Sequence, residues 1–503
     1  MTSPIANLPM HPGWLELMRR LRRRHTSRRQ FLSGTAATAG GLILSSLLPA
    51  GCGGSGGGTS ASQSGGSSGA TGADKANWPS NTPLQHVVIL CQENRSFDHY
   101  FGAFASTLGS GTNTALGFAP SELTYYNSAG TAYHPFHMTQ FCELDPDHSW
   151  EGSHPKWNNG AMNGWITEQD GNPGAIGYFL AEDHLYHAKL AQAFTIADHN
   201  FCSQIGPTVP NRMYLWSGTS GWDYLTPAQI ANTLPYDNPV FSLPPPQLTW
   251  QTMADVLDAA NLPWKSYSIA DGSVPSSIGS FNPLVYFAQF QNNPTRLAQA
   301  TTDFSEFQSD LAAGTLPAVS WIVTEAIVSE HPPAPPDMGQ LLVAKVVQDL
   351  MASSAWNSTA LFVTYDEAGG YFDHVPPDIL EVVPAGLLQA GTAVGPGFRV
   401  PLTIVSPWAP PNTVFKGVMD HTSILQFIER NFSTSATPIT LPTIAAARRE
   451  LADLTAAFDF SQAPNTPTLP TAEQLYAAAS KTILDGDSCT TDIPSWLPLL
   501  FGL

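Results

Sequence analysis

The chain has 503 residues, 43% of them hydrophobic and 12% charged, a globular composition that excludes an intrinsically disordered protein. Its formal charge is −19, and beyond residue 51 it carries 14 basic against 39 acidic residues. That balance excludes a general nucleic-acid surface, which draws on clustered Lys and Arg. An anionic substrate must instead meet a local positive feature such as a metal ion.

The N-terminal segment reads as an address. Ser27-Arg28-Arg29-Gln30-Phe31-Leu32 matches the twin-arginine export pattern, and the Gly- and Ala-rich stretch from Thr35 to Leu48 is too short and too weakly apolar for a stable membrane span. Pro49-Ala50-Gly51-Cys52 resembles a lipoprotein cleavage site with Cys52 as the lipidated residue, although Pro49 stands where Leu is usual. Residues 53–79 then form a Gly/Ser-rich tether. Two localisations follow: a periplasmic or cell-surface protein anchored through Cys52, or release after cleavage at Ala50. Outside the cytoplasm Cys91, Cys142, Cys202 and Cys489 can pair in three ways. None has the CxxC spacing of a zinc-thiolate site.

From residue 80 to 503 the chain reads as one catalytic domain. Short runs rich in Val, Ile and Phe predict buried strands at His86–Cys91, Ala318–Thr324, Ala360–Tyr365 and Pro401–Ser406. Helical patterns fall between them at Thr249–Ala260, Met338–Ala355 and Thr422–Asn431. This alternation predicts an α/β fold with a mostly parallel, doubly wound sheet flanked by helices. In such a sheet, ligands bind beyond the carboxyl ends of the strands.

Polar clusters follow two of those strands. Glu93-Asn94 comes directly after the first, and an acid beside an amide supplies hard oxygen donors for a divalent cation. Asp366-Glu367 ends the third, where adjacent acids repel unless a cation lies between them, and Gly369-Gly370 permits close backbone approach. Thr208, in Gly206-Pro207-Thr208-Val209-Pro210, is expected in a defined turn; a fixed hydroxyl near a metal can attack phosphorus. His148 and His331 lie in loop-like segments, where an imidazole can donate to phosphate oxygens or protonate a leaving group.

Together the segments ENRSFDHYFG (93–102), DPDHSW (145–150), GPTVPNR (206–212), SEHPP (329–333), DEAGGYFDHVPP (366–377) and DHTSILQFIERNF (420–432) resemble the bacterial phosphoesterase family that includes exported phospholipases C and a related acid phosphatase. The resemblance implies an alkaline-phosphatase-like α/β fold. It implies one divalent metal ion held by Glu93, Asn94, Asp366, Glu367 and the nucleophilic Thr208 hydroxyl, its identity open. It gives His148 and His331 to the transferring phosphate or the leaving group, with His154 an alternative to His148. Asn211, Asp373 and His374 take supporting roles, and Asp420 and His421 open a helix and cap it. The implied activity is hydrolysis of a phospholipid or small phosphate ester. It is foremost phospholipase C action on a phosphatidylcholine-type diester through a phosphothreonine, giving diacylglycerol and a phosphorylated headgroup. A phosphomonoesterase with the same residues is the alternative, and a non-catalytic anchored surface protein a second.

Overall fold

The computed structural model describes residues 78–79, 81–139, 145–167, 173–224, 248–269, 281–324, 328–387 and 389–476. The twin-arginine segment, Cys52, most of the tether, Cys142 and Cys489 lie outside them. All the described residues belong to one compact unit.

Eight strands form the central sheet: β1 (His86–Gln92), β2 (Thr195–Ala197), β3 (Trp264–Ser268), β4 (Thr302–Asp303), β5 (Val319–Val323), β6 (Thr359–Tyr365), β7 (Leu402–Val405) and β8 (Thr413–Phe415). Their order across the sheet is β4-β3-β5-β1-β6-β7-β2-β8. All run parallel except β7, which is antiparallel to both neighbours. The four predicted strands are therefore present, each within a residue of its expected ends, and the mostly parallel sheet is borne out.

Alternate residues of each strand feed opposite faces, so near-continuous apolar runs are needed to bury both. Val87, Ile89 and Cys91 of β1 pack with Ala360 and Phe362 of β6 beneath helices α4 (Thr208–Ser217), α5 (Met253–Ala259) and α8 (His421–Phe432). Val88 and Leu90, with Leu361 and Val363, face α3 (Leu185–Ala193), α6 (Phe304–Ala313) and α7 (Pro336–Ala352). Two short helices, α1 (Phe97–Tyr100) and α2 (Trp150–Trp157), carry polar segments to the site.

Three expectations are corrected. Thr208 does not sit in an isolated turn but opens α4. Pro207 precedes the helix and Pro210 lies in its first turn, where a missing N–H costs no intrahelical bond; Gly218 ends it at φ 70°. The helix expected from Thr249 begins at Met253, because Thr252 and Asp255 form a capping box there. Cys91 and Cys202 are not paired with each other. Both are free, buried thiols packed in separate apolar clusters. Among the described residues, no helix is long and apolar enough to cross a membrane.

Candidate active site

Register brings the two acidic strand ends together. β1 and β6 pair from His86↔Thr359 to Gln92↔Tyr365, so Glu93 and Asp366 emerge side by side at the carboxyl edge of the sheet. Asn94 follows in the left-handed region at φ 62°, which Asn tolerates. Its backbone N–H donates to Asp366 Oδ1 (3.2 Å), as does that of Glu367 (2.8 Å). Gly369, at φ 64°, packs so closely on the Asn94 carbonyl that a Cβ there would lie 2.3 Å from its oxygen, which explains the glycine.

On the neighbouring side, β2 runs through Asp198–Gly206 into α4 and brings Thr208 to these acids. The Thr208 hydroxyl donates to Glu93 Oε2 (3.1 Å). As the first residue of a ten-residue helix, Thr208 also stands at the positive end of its dipole, a favourable place for developing negative charge. Asn211 fixes the approach. Its Nδ2 donates to the carbonyls of Gln204 (3.1 Å), Gly206 (3.0 Å) and Pro207 (3.1 Å), while its Oδ1 accepts from the Gln204 N–H (2.8 Å). One turn on from Thr208, Arg212 is fully buried and bridges Glu93 Oε1 (2.6 Å) and Asp366 Oδ2 (3.1 Å).

Both predicted histidines face this group. His148 Nε2 lies 3.5 Å from Asn94 Nδ2 and 3.8 Å from Glu367 Oε1, and its Nδ1 faces the Pro146 carbonyl at 2.8 Å. His331 stands edge-on to it, ring centroids 5.7 Å apart. His154 does not take the place of His148: its two ring nitrogens lie 2.8 Å from the carbonyls of Trp150 and Ala393. The loop carrying His148 is held by Lys156, which donates to the carbonyls of Asp147 and Gly370.

Electrostatics distinguish the groups. Burial, with the charge of Asp366 added and Arg212 opposing, holds Glu93 well above the ordinary carboxylate range. Burial also lifts Glu367, which reaches about 8 with Asp366 adding to the shift and His148 opposing it. For His148 burial pulls down, but the charges of Glu367 and Asp145 prevail and raise it to about 9. His331 is held below its usual value by burial. At neutral pH His148 is thus the proton-bearing imidazole and His331 the neutral one.

Among the described residues, two groups of acids and imidazoles are tight enough for their ligand atoms to lie within 4.8 Å of one another, Asp145–His148–His331 and Asp98–Asp373–His374. Neither coincides with the expected metal ligands, because Glu367 is turned aside: its Oε2 accepts from the Gly369 N–H (2.6 Å) and its Oε1 faces His148. The expected set nonetheless fits a hard divalent cation. Its donors are carboxylate, amide and hydroxyl oxygens, and burial, with the charge of Asp366 adding, raises both Glu93 and Glu367, so that an ion there would relieve buried acidic groups. Asp98–Asp373–His374 is already filled by a cation. Arg399 donates to Asp98 Oδ1 and Asp373 Oδ1, each at 2.8 Å, and His374 Nδ1 lies 2.6 Å from Asp98 Oδ2. Asp373 and His374 therefore brace the loops after β1 and β6 instead of meeting Thr208.

Sequence reasoning passed over three residues of the site's framework. Arg212 and Arg399 stand out as buried arginines only in three dimensions. Glu330, at φ 71°, receives Tyr100 OH (2.6 Å), Tyr365 OH (2.8 Å) and Gln92 Nε2 (3.3 Å), and lies 2.9 Å from His187 Nε2, which locks the backbone beside His331. Its place in SEHPP, next to His331, was the available signal. Asp420 caps α8 as expected through Thr422 and Ser423, and also pairs with Arg448; His421 Nε2 lies 2.9 Å from the Tyr365 carbonyl.

A hydroxyl at a helix N-terminus, acids from two adjacent strand ends and two facing imidazoles thus meet at the carboxyl edge of the sheet. The chain belongs to the Phosphoesterase family, whose model matches residues 84–435. It is 34% identical over 438 residues to a protein named non-hemolytic phospholipase C from Burkholderia pseudomallei, aligning 77% of this chain with 61% of that one. It is 32% identical over 436 residues to phospholipase C B of Mycobacterium tuberculosis, 77% of this chain and 80% of that one. Among solved structures it is similar to a Vibrio parahaemolyticus protein of the alkaline phosphatase superfamily, with a TM-score of 0.35 and 10% identity over 82% of this chain and 91% of that chain.

Proposed function

We propose that this protein is an exported phospholipase C that cleaves the phosphodiester of a phosphatidylcholine-type lipid through Thr208. The observation that carries the reading is the Thr208 hydroxyl at the N-terminus of α4, 3.1 Å from Glu93 Oε2 and flanked by two strand-end acid clusters. The similarity to proteins named phospholipase C supports the lipid substrate; the chain spans 61% of the length of the Burkholderia relative.

The residues divide the work. Glu93, Asn94, Asp366, Glu367 and Thr208 would hold a divalent cation, which when bound withdraws electron density from the oxygens it touches and offsets phosphoryl charge. Glu93 Oε2 accepts the Thr208 hydroxyl hydrogen and so aims the oxygen lone pairs outward. The Thr208 oxygen gives its proton to Glu93 Oε2 and forms a bond to phosphorus as the bond to the diacylglycerol oxygen breaks, in line; the proton returns to Thr208 when the phosphothreonine is hydrolysed. His148, the protonated imidazole, delivers the proton to that leaving oxygen. His331, neutral, accepts a proton from the water that then hydrolyses the phosphothreonine, releasing the phosphorylated headgroup. Asn211 keeps the 204–207 turn in place. Export by the twin-arginine signal and an anchor at Cys52 would deliver the enzyme to a membrane surface; intact-mass analysis of the mature N-terminus distinguishes a lipidated Cys52 from release.

The test is Thr208→Ala assayed on p-nitrophenylphosphorylcholine and p-nitrophenyl phosphate in parallel. The expected result is a wild-type preference for the diester and a loss of about three orders of magnitude or more in the variant. Near-normal turnover by a folded Thr208→Ala protein defeats the nucleophile assignment, and a wild-type preference for the monoester makes the protein a phosphomonoesterase.

A further inference from the structure

Arg212 takes one oxygen from each of two carboxylates, Glu93 Oε1 and Asp366 Oδ2, while the other oxygen of Glu93 faces Thr208. The guanidinium also donates to the carbonyls of Phe281 (3.0 Å), Cys91 (3.1 Å) and Gln92 (3.3 Å), and the Phe281 ring covers it at 5.1 Å. It is a cation built into the centre, not one that swings to a ligand.

Charge arithmetic gives it a consequence. Glu93, Asp366 and Glu367 are at most 2% exposed and, in the deprotonated form in which carboxylates ligate a metal, together bring three negative charges. Buried charge is tolerated only when matched. Arg212 offsets one of the three, and the two that remain equal one divalent ion. A second divalent ion would leave the centre two positive charges in excess, and would need the carboxylate oxygens that Arg212 occupies. The flanking Asp145 is 40% exposed and faces the His148 ring, so this pair does not alter the buried balance.

We infer that Arg212 fixes the capacity of this centre at one divalent cation, by supplying in covalent form the charge and the carboxylate contacts that a second ion would take. The inference rests on the reading of Glu93, Asn94, Thr208, Asp366 and Glu367 as a divalent-metal centre. Arg212 is on this account a positioning residue for the metal, not a group that touches substrate.

Mn2+ is a suitable probe, being a hard divalent ion visible by electron paramagnetic resonance. The full chain, Arg212→Gln, Arg212→Lys and the charge-balanced Arg212→Gln/Asp366→Asn are titrated with Mn2+, with bound metal counted per chain. The wild type saturates at one ion. Arg212→Gln saturates at two, with the dipolar broadening of a close Mn2+ pair; Arg212→Lys and the double variant return to one. Folding is checked by circular dichroism. If Arg212→Gln does not fold, the wild type and Arg212→Lys still decide, since two ions in either overturns the inference. A folded Arg212→Gln that holds one ion overturns it too. A wild type that binds none overturns the metal-centre reading beneath it, whereas a wild type that binds two leaves that reading standing and removes only the role of Arg212.

Discussion

Oγ1 of Thr208 donates to Oε2 of Glu93 across 3.1 Å, which joins the first residue of α4 to the end of a strand 115 residues earlier. Strand pairing sets one partner and a helix start sets the other, so the bond reports whether the whole centre is assembled. A ligand bound at this junction stabilises the folded state in proportion to RT ln(1 + [L]/Kd). Thermal unfolding with and without EDTA should therefore differ. With free Mn2+ at about 1,000 times its dissociation constant the gain is about 4 kcal/mol, reversed by chelation. Identical unfolding curves in both conditions count against a divalent ion here.

Asn211→Ala removes four hydrogen bonds from the buried turn that leads into Thr208. The stranded backbone groups cost about 1–3 kcal/mol. The freed nucleophile costs kcat about tenfold to a hundredfold with KM little changed, since misplacement acts on the reacting geometry. Steady-state kinetics beside a urea melt check both; an unchanged kcat would show that the turn holds without Asn211.

The Arg399 brace predicts a pH dependence of stability. Burial raises Asp373 to about 6, with Asp98 adding and Arg399 opposing. Burial pulls His374 down, but its bond to Asp98 raises it overall. Both groups hold protons more tightly folded than unfolded. Their contribution is therefore complete below the unfolded values, near 3.9 for Asp and 6.5 for His, and is lost as pH rises through the folded ones. The stability gap between wild type and His374→Gln should narrow as pH rises above 7, measured by melting temperature. Arg399→Ala strands Asp98 and Asp373 and should cost about 3–5 kcal/mol.

Glu330 has the opposite sign. Burial would raise its carboxyl, but His187 and the hydroxyl of Tyr100 hold it below the ordinary value. Its contribution is present above the unfolded value of about 4.3 and disappears as pH falls through the folded one. Glu330→Gln should be destabilised at pH 7 and approach wild type at acid pH. Because Glu330 fixes the backbone of His331, kcat should also fall, by about tenfold. A gap that widens on acidification contradicts the assignment of charge.

The local signals in the chain were good guides to the elements. Apolar runs of β-formers located β1, β5, β6 and β7, since strands buried on both faces must be continuously apolar. The strands β2, β4 and β8, of two or three residues, carry too little pattern to read and exist because the sheet supplies their partners. α4 escaped because its two prolines read as turn residues, whereas a helix accommodates both before or within its first turn.

By itself, the sequence determined which strand ends carry acids, that Thr208 has a constrained backbone, and that Gly369 must allow close approach. Those are properties of neighbouring residues and of a residue's own conformational range. Tertiary structure alone decided that Arg212 bridges Glu93 and Asp366, that Arg399 rather than a metal ion fills Asp98 and Asp373, and that His148 rather than His154 faces Glu367. The partners in these contacts lie tens to hundreds of residues apart, and their meeting is set by strand register and helix packing, which no local pattern encodes.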